Sequence, residues 1–320
     1  MSHQLQTIAY INNEPWHGLG NRIAAHQSIE KWQHQAGMNW QIREASVLFN
    51  ANQDEGSLLN LRSNNDSKVL FRSDTLEPLS VVSKKYQVVQ PKEVLEFYRD
   101  LVTAGGFELE TAGVLKGGKK LWALAKTNQE TLLKGGDKVK AYLLLATSCD
   151  GTLATTAQFT SIRVVCSNTL QLAVADSRGA VKVSHSSKFD PAQVKQELGL
   201  GLSAWEKFNA SIHALAERKI NKFETMNYLV DVLGDPLLPL NEQPNQKAIQ
   251  NVYQLFSGAG KGSDLASANG TAWGLLNGIT EHIDTYRRAM SQDHRIDSAW
   301  FGVGANIKAK AFNEAMKLVA

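Results

Sequence analysis

Apolar positions change their period along the chain, and the changes mark its elements. Residues 28–36 read as a short helix stopped by Gly37, with Trp40 opening a strand. From residue 45 to about 90, apolar residues come in short runs at 47–49, 58–61, 69–71 and 79–82, separated by Asn, Asp, Ser and Pro, which predicts short β-strands. Pro91 sits at a favourable first helical position, and Val94, Leu95, Tyr98, Leu101 and Val102 follow at helical spacing up to Gly105 and Gly106. The clearest hairpins come next: residues 107–115 and 121–126 flank a Lys-Gly-Gly-Lys turn at 116–119, and residues 141–149 and 153–165 flank the turn pair Asp150 and Gly151. Such a series predicts an antiparallel sheet.

After Ser187 the period becomes helical. Asp190 and Pro191 form an N-cap and first-turn pair for a helix running towards Arg218, and Asn221 starts another that ends near Gly234. Pro236, Pro239 and Pro244 mark a turn-rich connection, and further helices are expected at 246–256, 271–290 and 306–318. The predicted class is α+β: an antiparallel β-hairpin sheet with helices over residues 1–188, then a mainly helical region, 189–320, packed on or extending that core.

A length of 320 residues suits one large domain or two of ordinary size, and 43% hydrophobic with 20% charged residues argues against global disorder. The chain has no apolar run of about 18 residues and no basic-then-apolar N-terminal stretch, so a cytoplasmic protein without a membrane partner is expected. Cys149 and Cys166 form no Cys-x-x-Cys pair, which argues against a disulfide framework or a thiolate zinc site. Net charge is only +3, but residues 115–190 hold eleven Lys/Arg against five Asp/Glu, leaving the rest of the chain net negative. A local basic surplus suits a surface that tracks phosphates, and equally one that serves solubility.

Arg163 is the lone charge in the strand-like run 159–166, so it needs a partner: an anionic ligand, or a carboxylate of the fold with Asp150 the nearest candidate. Ser167 or Asn168 is positioned to cap a following helix, whose free amides beside Arg163 would make an anion site. Lys116, Lys119 and Lys120 bracket a hairpin tip with Trp122 directly after it, a combination that suits phosphates on ammonium groups and bases on an aromatic ring. Lys182 and Lys188 extend the basic set. His17, Asp150 and His185 lie at loop-like edges and form a candidate polar site, yet their spacing matches no metal-ligand pattern, so neither a metal nor a cofactor is expected. The loop 258–263 has Leu255 where a phosphate-binding loop requires Gly and has Gly after Lys261, and therefore reads as a glycine linker.

Several motifs read in order carry a family resemblance: Pro15 to Gly20 (Pro-Trp-His-Gly-Leu-Gly), Arg72-Ser73-Asp74, Tyr86 to Gln90, Ala112 to Gly118, Asp150-Gly151, Arg163 to Leu170, and Gly270 to Trp273. In these the chain resembles the phage/plasmid-like proteins, a domain-of-unknown-function family carried by phages, plasmids and integrated elements. The resemblance implies a mobile-element context and no established catalytic residues. In layout alone, the helix at 28–36, the Gly37 to Trp40 junction, the hairpins after Phe107 and a helix after Cys166 are similar to ring-forming single-strand annealing recombinases; likeness of layout does not establish function.

The leading expectation is a non-enzymatic, homo-oligomeric DNA-binding protein of a mobile element. It would bind single-stranded DNA through Arg163, Lys116, Lys119, Lys120, Lys182 and Lys188, with annealing as a role. The alternative is an anti-defence or regulatory protein that binds a host protein through its helical half. A third reading is a hydrolase using Cys166 or His185.

Overall fold

Hydrophobic runs in the first half of the chain pair into two sheets. The computed structural model describes residues 8–11, 20–52, 60–104, 106–165, 168–171, 180–198 and 202–320. It begins with β1 (Ile8–Tyr10), β2 (Asn21–Arg22) and α1 (Ile29–Gln35). Ser28 caps α1 by accepting the Lys31 amide, while Ile29 and Trp32 bury its apolar side. Next, β3 (Ile42–Asn50), β4 (Leu61–Arg72) and β5 (Pro78–Ser83) form a three-stranded antiparallel sheet in that order. The helical stretch opened by Pro91 divides into α2 (Pro91–Glu96) and α3 (Arg99–Ala104).

The larger sheet is built by β6 (Glu108–Leu115), β7 (Lys120–Leu133), β8 (Asp137–Ser148), β9 (Thr155–Arg163), β10 (Asn168–Gln171) and β11 (Ala180–Val183), together with β1 and β2. Its order is β10-β9-β8-β7-β6-β1-β2. β11 shares with β10 the edge of β9, pairing with 155–158 where β10 pairs with 160–163. Among the described residues only β1 with β2 is parallel. Residues 120–125 of β7 and 141–148 of β8 are buried without alternation, so this sheet is covered on both faces.

The C-terminal half consists of α4 (Pro191–Leu198), α5 (Leu202–Glu217), α6 (Lys222–Leu233), α7 (Gln246–Gln254), α8 (Ala272–Glu281), α9 (Gln292–Phe301) and α10 (Val303–Lys317). The α+β class is thus the observed one, and buried residues of both halves join in one core. Helix α8 is buried along its whole length. Trp300 of α9 meets Trp122 of β7 edge-on at 4.9 Å. None of the helices is long and apolar enough to cross a membrane, among the described residues.

Several local expectations are corrected. Residues 168–171 form the strand β10, where the capping signal predicts a helix: pairing with β9 satisfies the backbone instead of a new helical turn. The helix expected from 190 to 218 is two helices. The one expected over 271–290 ends as α8 and a π-helical turn, His282–Tyr286, and α9 has no counterpart in the predicted elements.

Candidate functional site

Arg163 is paired within the fold. Its Nε lies 2.8 and 2.9 Å from the two carboxylate oxygens of Asp137 on the adjacent strand β8, and both side chains are sealed from solvent. Asp137 Oδ2 also accepts from Ser267 Oγ at 2.7 Å and Trp273 Nε1 at 3.0 Å. The guanidinium reaches onward to the carbonyls of Lys261 and Gly262, at 3.3 and 2.9 Å. Gly262 has φ 65°, and a Cβ there would stand 2.7 Å from Val165, so only glycine lets this loop approach the arginine. The 258–263 loop is therefore docked onto the sheet by Arg163. The expected partner, Asp150, instead caps its own turn, accepting the Thr152 amide at 3.0 Å and its hydroxyl at 2.6 Å. Although burial pushes the Asp150 carboxyl up, these bonds hold it below the usual carboxylate range. With Asn168 opening a strand and Ser167 outside the described residues, the helix-start anion site is withdrawn.

The β6–β7 tip is likewise committed to the fold. Lys116 and Lys120 both pair with Asp297 of α9, and Lys120 is buried despite its charge. Trp122 is fully buried against Trp300 and offers no surface to a base. Lys126, Lys134 and Lys138 also have carboxylate partners, Glu108, Glu217 and Glu130. Three carboxylates from outside residues 115–190, Asp297, Glu108 and Glu217, thus offset part of that segment's basic surplus. Lys119 is half-exposed, and Lys182 and Lys188 are exposed.

Some predicted residues do come together, in a cleft of about 430 Å³ where the end of β5, the β8–β9 turn and the segment after β11 meet. Lys85 and Lys182 line it with the hydroxyl-bearing Ser83, Ser184 and Ser186, and Gly151 and Ala154 form a wall without bulk. Gly151 adopts φ 76°, as the tight turn after Asp150 requires. Among the described residues, neither Lys85 nor Lys182 has a carboxylate within salt-bridge distance. The Ser184 and Ser186 hydroxyls lie 3.0 Å apart.

Tyr86 and His185, which line the cleft, are held by each other and by backbone carbonyls. Tyr86 stacks on His185 with ring centroids 4.4 Å apart, and its hydroxyl donates to the Ser148 carbonyl at 2.9 Å. Burial pushes the Tyr86 phenol up to about 12. His185 Nδ1 faces the Gln87 carbonyl and Nε2 the Leu153 carbonyl, each at 3.0 Å. Both ring nitrogens are thus engaged by backbone carbonyls and neither is left for a metal or a general base, which argues against a hydrolase using His185. Among the described residues no group of three or more His, Cys, Asp or Glu is placed to hold a metal ion. His17 and Cys166 lie outside the described residues. Lys85 and the serines were absent from the predicted set, although the Lys84-Lys85 doublet before Tyr86 was a readable signal.

The motif residues of the family resemblance are largely structural. Arg72 clamps Asp74 through two bonds, at 3.0 and 2.7 Å, stacks over Trp40 and donates to the Gly117 carbonyl. Gln90 bonds both the amide and the carbonyl of Ile42. Thr271 caps α8, and Trp273 serves Asp137. No curated protein and no solved structure matches the chain. A family model does match residues 78–300, more than half of the chain, and the protein thus belongs to the family described as Domain of unknown function (DUF932).

Proposed function

We propose that this protein is a DNA-binding protein of a mobile genetic element and that it holds single-stranded DNA by its phosphates at the cleft between β5, the β8–β9 turn and β11. The observation that carries this reading is the pair Lys85 and Lys182, which line one cleft and have no carboxylate partner among the described residues, in a fold that pairs Lys116, Lys120 and Arg163. Serine hydroxyls of the same cleft suit phosphate oxygens. Tyr86 also lines the cleft, with one ring face stacked on His185. The mobile-element context rests on the motif resemblance.

The test is the salt dependence of oligonucleotide binding. Each phosphate that a lysine no longer neutralises lowers the slope of log affinity against log salt by about 0.7 for single strands, so Lys85→Ala/Lys182→Ala is expected to lower it by roughly 1.4 and to weaken binding at every sequence. A double variant that binds labelled single strands as tightly as the parent, with the same slope, refutes the reading.

The alternative, a host-protein partner engaged by the helical half, has one observation in its favour. Leu237, Leu238 and Leu240 are exposed on a loop fixed from beneath by buried Gln243, which bonds the Asp235 amide and the Asp235 and Leu238 carbonyls. A host protein retained from nuclease-treated lysate by the parent, and lost with Leu237→Ser/Leu240→Ser, would favour this alternative.

A further inference from the structure

We infer that the cleft at Lys85 and Lys182 is built for a phosphomonoester, so that it takes the terminal phosphate of a nucleic-acid strand in preference to an internal phosphodiester. This rests on the strand-binding reading above and narrows it to one chemical group.

The argument is one of charge and acceptor matching. A phosphodiester carries one negative charge and two free oxygens, whereas a phosphomonoester carries about −1.5 to −2 at neutral pH and three free oxygens. The cleft offers two ammonium groups without carboxylate partners among the described residues, together with the hydroxyls of Ser83, Ser184 and Ser186. The two cations match the dianionic monoester in charge and exceed the single charge of a diester, while the serines supply further hydrogen-bonding groups. Ionised acceptors form the stronger, shorter hydrogen bonds, so the second charge adds to affinity.

The Tyr86–His185 stack lines the cleft with its polar atoms tied to the carbonyls of Ser148, Gln87 and Leu153, which leaves the lysines and serines to meet the phosphate. Gly151 on the wall lets a ligand approach the backbone closely. A volume of about 430 Å³ lies in the range of small-ligand pockets.

The test uses the full chain and two 3′-labelled single-stranded oligonucleotides of one sequence, bearing either a 5′-phosphate or a 5′-hydroxyl. Anisotropy titrations should show about tenfold tighter binding of the phosphorylated strand. That preference should vanish in Lys182→Ala and in Ser184→Ala/Ser186→Ala, survive in Lys182→Arg, and be competed by inorganic phosphate, with circular dichroism confirming that each variant is folded. Equal affinity for the two strands overturns the inference and leaves the strand-binding reading standing. Failure to bind either strand, with inorganic phosphate still bound by the parent and not by Lys182→Ala, refutes the strand reading while supporting a phosphomonoester site. Failure to bind strands or phosphate refutes both.

Discussion

Asp137 and Arg163 stand side by side on β8 and β9, and Nε of the arginine donates to both carboxylate oxygens, with neither side chain reaching solvent. The same carboxylate collects Ser267 from the segment leading into α8 and Trp273 from its first turn. Sheet, glycine loop and buried helix therefore meet at one anion. A buried pair of this kind contributes little when compared with apolar residues, because desolvation offsets the attraction, but removing one partner strands the other.

Asp137→Ala should accordingly cost about 3–5 kcal/mol, since it leaves a buried guanidinium, a hydroxyl and an indole N–H without their acceptor. Urea unfolding followed by tryptophan fluorescence measures this. A loss below about 1 kcal/mol would mean that water or another carboxylate takes over the role.

The Asp297 pairing predicts an asymmetry. Lys120 is buried and Lys116 is partly exposed, so Asp297→Ala leaves one cation with no route to water and the other with an easy one. Loss of the acceptor should cost about 1–3 kcal/mol, whereas Lys116→Ala should cost less than about 1 kcal/mol. Equal effects of the two variants in parallel urea melts would contradict this assignment.

Much of the architecture was readable from sequence because local signals and packing agree. Ser28, Pro91 and Asn221 mark true helix starts, and the alternation of apolar runs with Gly and Asp turns marks the hairpins. The site was harder to read because a basic residue in sequence carries no record of its partner. Lys116 and Lys120 find Asp297 about 180 residues away, and Arg163 finds Asp137 across a strand pair, not the Asp150 nearer in sequence. Lys182 and His185 were legible as polar edge residues. Their meeting with Lys85 depends on β11 folding back onto β9, a pairing that local pattern does not encode. Asn168 failed for a related reason: the capping preference of an Asn is weak beside a free strand edge that offers a full ladder of hydrogen bonds.

Cys149 should be chemically silent in the native protein. Burial, reinforced by the charge of Asp150, pushes its thiol up to about 12, against an ordinary value of 9.0. Its Sγ lies 3.4 and 3.5 Å from the carbonyls of Gly118 and Lys119. Thiolate is the reactive form, so a thiol-disulfide reagent should modify Cys149 only after unfolding. In a Cys166→Ser variant at mildly alkaline pH, reaction under native conditions should be absent and reaction in denaturant complete. Rapid native labelling would show that this end of the sheet opens.

His282 gives the protein an acid-sensitive step. Burial first, and then the positive charge of Arg287, lowers its imidazole from 6.5 to about 4, and Nδ1 lies 2.6 Å from the Asn251 side-chain oxygen. The folded state therefore prefers the neutral ring. Between about pH 6.5 and 4 the unfolded chain binds a proton that the native chain refuses, so the stabilisation is complete above the unfolded value and is lost as pH falls towards the folded one. At 1.36 kcal/mol per pKa unit the loss is on the order of 3 kcal/mol from this group. Urea midpoints measured across that window should fall with acidity in the parent, and the fall should be shallower in His282→Gln, which keeps a donor for Asn251 and has no proton to gain. Identical pH profiles for parent and variant would mean that carboxylates elsewhere set the acid limit of the fold.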